Sequence, residues 1–127
     1  MTDHSAAITA AGKLLDDFMT AFNARDIAAF DATFNFPSLL LVSNKMSTVD
    51  KGDHTPEMFT QGPLADWGHS TWDRRTVVRA DAKKVHFDCT FTRYRKDGSV
   101  MGTHESIYVV TNEDGHWGVK IRSGFLP

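Results

Sequence analysis

His104, Ser106 and Tyr108 stand two residues apart, and on an extended strand that spacing turns all three to one face, about 6.5–7 Å from each to the next. An imidazole that titrates near neutrality trades protons with a bound molecule, and a buried tyrosine hydroxyl polarises a carbonyl. The set therefore reads as an acid–base group, His104, with two hydrogen-bonding groups beside it. The plainer alternative is structural: Tyr108 packs in a core, Ser106 fills space and His104 sits where the strand frays. Arg93 is predicted to share the inward face. A guanidinium at a cavity rim suits a carboxylate ligand, unless its stem merely carries the charge out to water. Cys89 lies mid-strand with no activating base and reads as a buried structural thiol. The six histidines show no paired ligand spacing and have no cysteine partner, so no metal site is expected. No Gly-rich phosphate loop is present, and no cofactor is expected.

The elements that must position these groups are hairpins. Asp97-Gly98 and Asp114-Gly115 each stand between alternating apolar runs, the strongest local signal for a tight reversal. With two-residue loops, Phe91 faces His104, Cys89 faces Ser106, Phe87 faces Tyr108 and Val85 faces Val110. The next hairpin places His104 opposite Phe125, Ser106 opposite Ser123, Tyr108 opposite Ile121 and Val110 opposite Val119. The other face then carries Asp88, Ile107 and Arg122 in one row, with Tyr94 and Val109 nearby. This mixture fits a solvated face or a homodimer interface anchored by the apolar members.

Upstream, Ile8, Ala11, Leu15, Phe18, Met19 and Phe22 recur at helical spacing and predict an amphipathic helix over about residues 5–23. Asp26 is placed to cap a short second helix whose stripe is Ile27, Phe30 and Phe34. Residues 39–49 read as a strand. Thr55-Pro56 predicts a short capped helix to about Gln61, ended by Gly62-Pro63. Trp67, His69 and Trp72 flank the entry to the next strand, where they either lid a cavity or close its apolar layer. Strands are expected at about 71–80, 84–95, 101–112 and 116–124. Helices segregated from an antiparallel meander give an α+β domain, expected to be single over 1–127, whose curved sheet wraps the long helix and leaves a cavity between them.

Composition narrows the partners. The formal net charge of −2 and the lack of a basic stripe argue against nucleic acid, and no apolar run approaches the roughly 20 residues of a membrane span. The start, Met1-Thr2-Asp3-His4, lacks the basic and apolar regions of a signal peptide, and a lone cysteine fits a reducing compartment. A cytoplasmic protein is expected.

The segment Phe18-Met19-Thr20-Ala21-Phe22-Asn23-Ala24-Arg25-Asp26 and the closing Gly115-His116-Trp117-Gly118-Val119-Lys120-Ile121, in this order and context, resemble the NTF2-like superfamily, which includes SnoaL-like and ketosteroid isomerase families. The resemblance implies the cystatin-like α+β cone, and it favours a homodimer through the outer sheet face. The isomerase site does not carry over. Its helix tyrosine aligns with Phe18, its aspartate base falls near Val42, and its second aspartate falls near Ser106 or Tyr108. The expectation is a protein that binds a small, largely apolar organic molecule, with Phe18, Phe22, Phe36, Trp72, Phe87, Arg93, Ser106 and Ile121 as ligand-facing residues. SnoaL-like cyclase, isomerase or dehydratase chemistry would fall to His104 and Tyr108. The alternative is a non-catalytic ligand carrier or dimerising module.

Overall fold

A computed structural model describes residues 3–125 of the chain. Helix α1, Ser5–Ala24, buries Ala11, Leu15, Phe18 and Met19 of the predicted stripe, with Ile8 and Phe22 partly buried and Ala7 and Leu14 buried beside them. It lies across the concave side of one six-stranded sheet. In sequence the strands are β1 (Phe34–Val42), β2 (Lys45–Val49), β3 (Trp67–Ala80), β4 (Lys84–Arg95), β5 (Val100–Glu113) and β6 (His116–Gly124). Their spatial order is β2-β1-β6-β5-β4-β3, antiparallel throughout except for the parallel β1–β6 pair. This is the expected α+β cone. Two strands replace the single one anticipated over 39–49, because Ser43, at φ 53°, reverses the chain.

The motif at the end of α1 locks helix to sheet. Asn23 behaves like a strand residue: its Nδ2 donates to the Ser70 carbonyl and its Oδ1 accepts from the Ser70 amide, both at 2.8 Å. Arg25 caps the helix in the left-handed region and lays its guanidinium over the Trp67 ring, 4.3 Å from the centroid. Asp26 caps α2 (Ile27–Asp31) by accepting from the Ala29 amide at 3.1 Å, as predicted. The helix expected after Thr55 is a 3₁₀ turn, Pro56–Phe59, and Thr55 makes no side-chain cap bond. Gly62-Pro63 does not simply stop it but opens a second 3₁₀ turn, Gly62–Leu64. Trp67 and Trp72 close the apolar layer. Trp67 is fully buried and donates to the Ser70 hydroxyl at 2.9 Å, and Trp72 donates to the Leu15 carbonyl at 2.9 Å. Among the described residues no helix is long and apolar enough to cross a membrane.

The two hairpins keep the predicted register differently. At the first, Arg95 and Ser99 close a three-residue loop, Lys96-Asp97-Gly98, with Gly98 at φ 89°. One extra residue in β5, Met101, compensates, so Phe91 still faces His104, Cys89 faces Ser106 and Phe87 faces Tyr108. The second turn is the expected two-residue type, with Asp114 and Gly115 both at positive φ and Val110 opposite Val119. Beyond that pair the register slips. Lys120 is an extra residue, and Val109 now faces Ile121, Tyr108 faces Arg122, Ile107 faces Ser123 and Ser106 faces Gly124. The expected Tyr108–Ile121, Ser106–Ser123 and His104–Phe125 pairs are not formed. A bulge re-aims every side chain past it. Here it turns Ile121 to the outer face, away from any ligand, and Arg122 inward. The Ser38 hydroxyl donates to the Lys120 carbonyl at 3.0 Å and holds the bulge in place.

Candidate functional site

The cone is not filled. A chamber of about 180 Å³ remains between α1, α2 and the sheet. Its walls are aromatic and aliphatic, with Phe18, Phe22, Phe30, Phe34 and Met58 prominent. Arg93 and Arg122 line it too, and both also line a second, outer hollow that holds His104 and Ser106. The two guanidiniums therefore stand where the apolar chamber meets its mouth. No aspartate or glutamate lines either space.

Three buried polar atoms at the mouth have no hydrogen-bond partner. Arg93 Nε, Arg122 Nε and Ser106 Oγ are buried and unpaired, and neither arginine forms an ion pair among the described residues. Both guanidiniums rest on aromatic faces: Arg93 lies 5.5 Å and Arg122 5.3 Å from the Phe91 centroid, and Arg122 lies 5.8 Å from that of Tyr108. Burial, and then the positive charge of Arg122, lower the pKa of Arg93. His104 stacks on Phe91 at 5.1 Å, and its pKa is depressed by burial first and then by Arg93 and Arg122. Tyr108 is 2% exposed, and burial holds its hydroxyl pKa above the usual range, so the phenol stays a neutral donor. Buried polar groups in folded proteins are nearly always paired. The cluster brings two cations together with a hydroxyl and a phenol, and no carboxylate stands among the residues that line it.

The sequence-predicted residues divide accordingly. Phe18, Phe22, Arg93 and Tyr108 line the chamber; His104 and Ser106 line its mouth. Phe36 does not line it but stacks behind Phe34 at 5.4 Å. Trp72 and Phe87 belong to the packed core beside it, because Trp72 is pinned by Leu15 and Phe87 is 3% exposed under α1. Ile121 lies on the outer face, for the reason given above. Cys89 is fully buried and its thiol is pushed up to about 12, chiefly by burial, which fits the structural role expected of it.

Sequence reasoning missed two things. Arg122 is one: the register without the Lys120 bulge put it outside. The other is His54, whose Nδ1 lies 2.7 Å from Asp31 Oδ1 and whose ring lines the chamber among Phe30 and Phe34, with centroids 4.8 and 4.9 Å away. Their chain separation of 23 residues gave no spacing signal. Among the described residues no cluster of three or more His, Cys, Asp or Glu is arranged to hold a metal.

A family model of NTF2-like proteins (DUF6841) matches residues 9–123. The chain belongs to this NTF2-like family. Solved structures agree on the fold. A ketosteroid isomerase-like protein from Erwinia carotovora is 20% identical, with 98% of this chain and 97% of that one covered and a TM-score of 0.66. An NTF2-like protein from Cytophaga hutchinsonii is 13% identical over all of both chains, with a TM-score of 0.67. A protein of unknown function with a cystatin-like fold from Nostoc punctiforme is 14% identical, covering 91% of this chain and 86% of that one, with a TM-score of 0.67. No curated protein matches the chain. At these identities the likeness fixes the NTF2-like architecture alone, and function rests on the site.

Proposed function

We propose that this NTF2-like protein binds a small organic anion, with its apolar body in the chamber and its charged group at the mouth against Arg93 and Arg122. The observation that carries this is the pair of half-buried arginines, each with a buried, unpaired Nε and no acidic partner, next to the unpaired Ser106 hydroxyl. A carboxylate matches a guanidinium fork in shape and charge, and an aromatic-lined cavity favours a flat apolar body. His104, as a largely neutral imidazole, and Tyr108, as a protonated phenol, are the groups offered at this end for isomerase-, cyclase- or dehydratase-type chemistry.

The experiment is a thermal-shift comparison of benzoate, phenylacetate, cinnamate and hexanoate with their primary amides. A ligand that binds only the folded chain raises Tm by mass action. The carboxylates are expected to raise Tm in the wild type, the amides much less, and Arg122→Met to erase the difference. Equal responses to acids and amides, or none to either, would overturn the proposal.

A further inference from the structure

We propose that His54, oriented by Asp31, is a general base for carbon acids bound in the chamber. The inference rests on the binding reading above, since it needs a ligand in the same space. It adds a catalytic group that lines the chamber but not its mouth, on residues that neither the hairpins nor the arginine pair involve.

The dyad is built by two separate pieces of chain. Asp31 is the last residue of α2, and His54 lies in the connection between β2 and the first 3₁₀ turn. A carboxylate oxygen only accepts, so at the 2.7 Å contact it is Nδ1 that carries the hydrogen. In the neutral ring Nε2 then keeps its lone pair, and it makes no hydrogen bond to any described residue. The two side chains are only 15% and 18% exposed. A histidine held in one tautomer, with the far nitrogen unpaired on the wall of an apolar cavity, is the arrangement a proton-abstracting base requires. A purely structural tie between α2 and this connection would not need a ring lining the cavity.

The balance of the step closes within the site. Nε2 takes a proton from a carbon next to an electron-withdrawing group. The C–H pair moves into that group, and the negative charge it gains is set against the guanidiniums of Arg93 and Arg122. Return of the proton from the imidazolium to a second carbon completes an isomerisation without oxidant, reductant or water. The substrate class is a small, flat, apolar carbon acid, a carbonyl compound in the simplest case.

The test uses 5-nitrobenzisoxazole. Loss of its ring C–H proton to a base turns the C–H pair into the third bond of a nitrile and breaks the N–O bond, leaving a coloured phenolate. Wild-type protein is expected to turn the probe over with saturation. His54→Gln should lower kcat about 10²-fold or more, within the range general-base catalysis supplies. Asp31→Asn should lower kcat about 10-fold with KM little changed, the mark of a positioning residue, and His69→Gln, on a surface ring stacked against Tyr94, should do neither. Binding is followed in parallel by quenching of tryptophan fluorescence. Saturable binding with turnover equal in wild type and His54→Gln would overturn the assignment while leaving the pocket intact. Absence of turnover in the wild type would overturn the base assignment, while the anion-binding reading stands or falls separately on the Tm response to benzoate. If His54→Gln does not fold, carbethoxylation of the wild type decides: turnover should fall in step with modification mapped to His54, and full modification with turnover retained would overturn the proposal.

Discussion

The two ends of the chamber treat polarity in opposite ways. At the inner wall His54 and Asp31 pair with each other at 2.7 Å inside a cage of phenylalanines, and the charge-bearing groups answer one another. At the mouth Arg93, Arg122 and Ser106 each leave a buried polar atom unpaired. The inner pair costs the fold little, because each partner satisfies the other. The mouth costs more, because partly desolvated like charges and buried unpaired polar atoms lose solvation without a compensating partner. A fold keeps such an expense where a ligand offsets it. On the proposed reading, the unsatisfied end is where the ligand's charge sits and the paired end is where a side chain is held oriented.

The largest effect is expected from breaking the cage. Phe30 is 3% exposed and its ring meets Phe18, Phe22, Phe34 and His54 at 4.8–5.2 Å. Phe30→Ala should cost about 3–5 kcal/mol of stability, measured by urea unfolding. A loss below about 1 kcal/mol would mean that the wall is loosely packed and does not fix the dyad. Next comes Arg122→Met. It removes one of the two repelling cations, so the unliganded protein should gain about 1–2 kcal/mol while affinity for an aryl carboxylate falls roughly 30-fold or more. Calorimetry and thermal unfolding read the two together. Lower stability combined with unchanged affinity would place the anion elsewhere and make Arg122 an ordinary packing residue. Ser106→Ala repeats the contrast on a smaller scale. Its hydroxyl is buried and unpaired, so the change should be neutral or stabilising by up to about 1 kcal/mol and should weaken carboxylate binding a few-fold. Clear destabilisation would show that the hydroxyl already has a partner.

How far each end was legible in the sequence follows the same division. The helical stripe, the Asp26 cap and the inward row His104-Ser106-Tyr108 rest on local rules of period and turn chemistry, and they hold. The first hairpin keeps its register only because a longer loop is matched by a compensating bulge at Met101. The second hairpin obeys its turn and still misplaces Arg122, because the bulge at Lys120 is held by Ser38 from the far side of the parallel pair. No local signal announces a bulge that a distant strand stabilises. Gly118 belongs to the same crossing: a Cβ there would lie 2.6 Å from the Phe34 backbone, so the glycine of the closing motif is a requirement of β1 packing. His54 was hidden for another reason. It follows an exposed turn, Asp50-Lys51-Gly52-Asp53, and only the tertiary approach of α2 brings Asp31 to it.

The smallest effect sharpens the comparison most, because its sign is diagnostic. His104 is held below the ordinary imidazole value of 6.5 by burial and by the charges of Arg93 on β4 and Arg122 on β6. Its protonated form is thus disfavoured in the folded state. The unfolded chain binds more protons as pH falls below about 6.5, and stability from this group is present above that value and lost below it, down to the depressed folded pKa. An anion seated on the arginines cancels part of their repulsion and should raise the His104 pKa. By linkage its affinity should increase as pH falls through the same window. A ligand that merely covers the mouth would bury the ring further and lower the pKa instead. Following the His104 ring proton by NMR from pH 5 to 8, with and without saturating benzoate and benzamide, separates the two. An upward shift with the acid alone places its charge at the arginine pair, whereas a downward or absent shift removes the anion from the mouth.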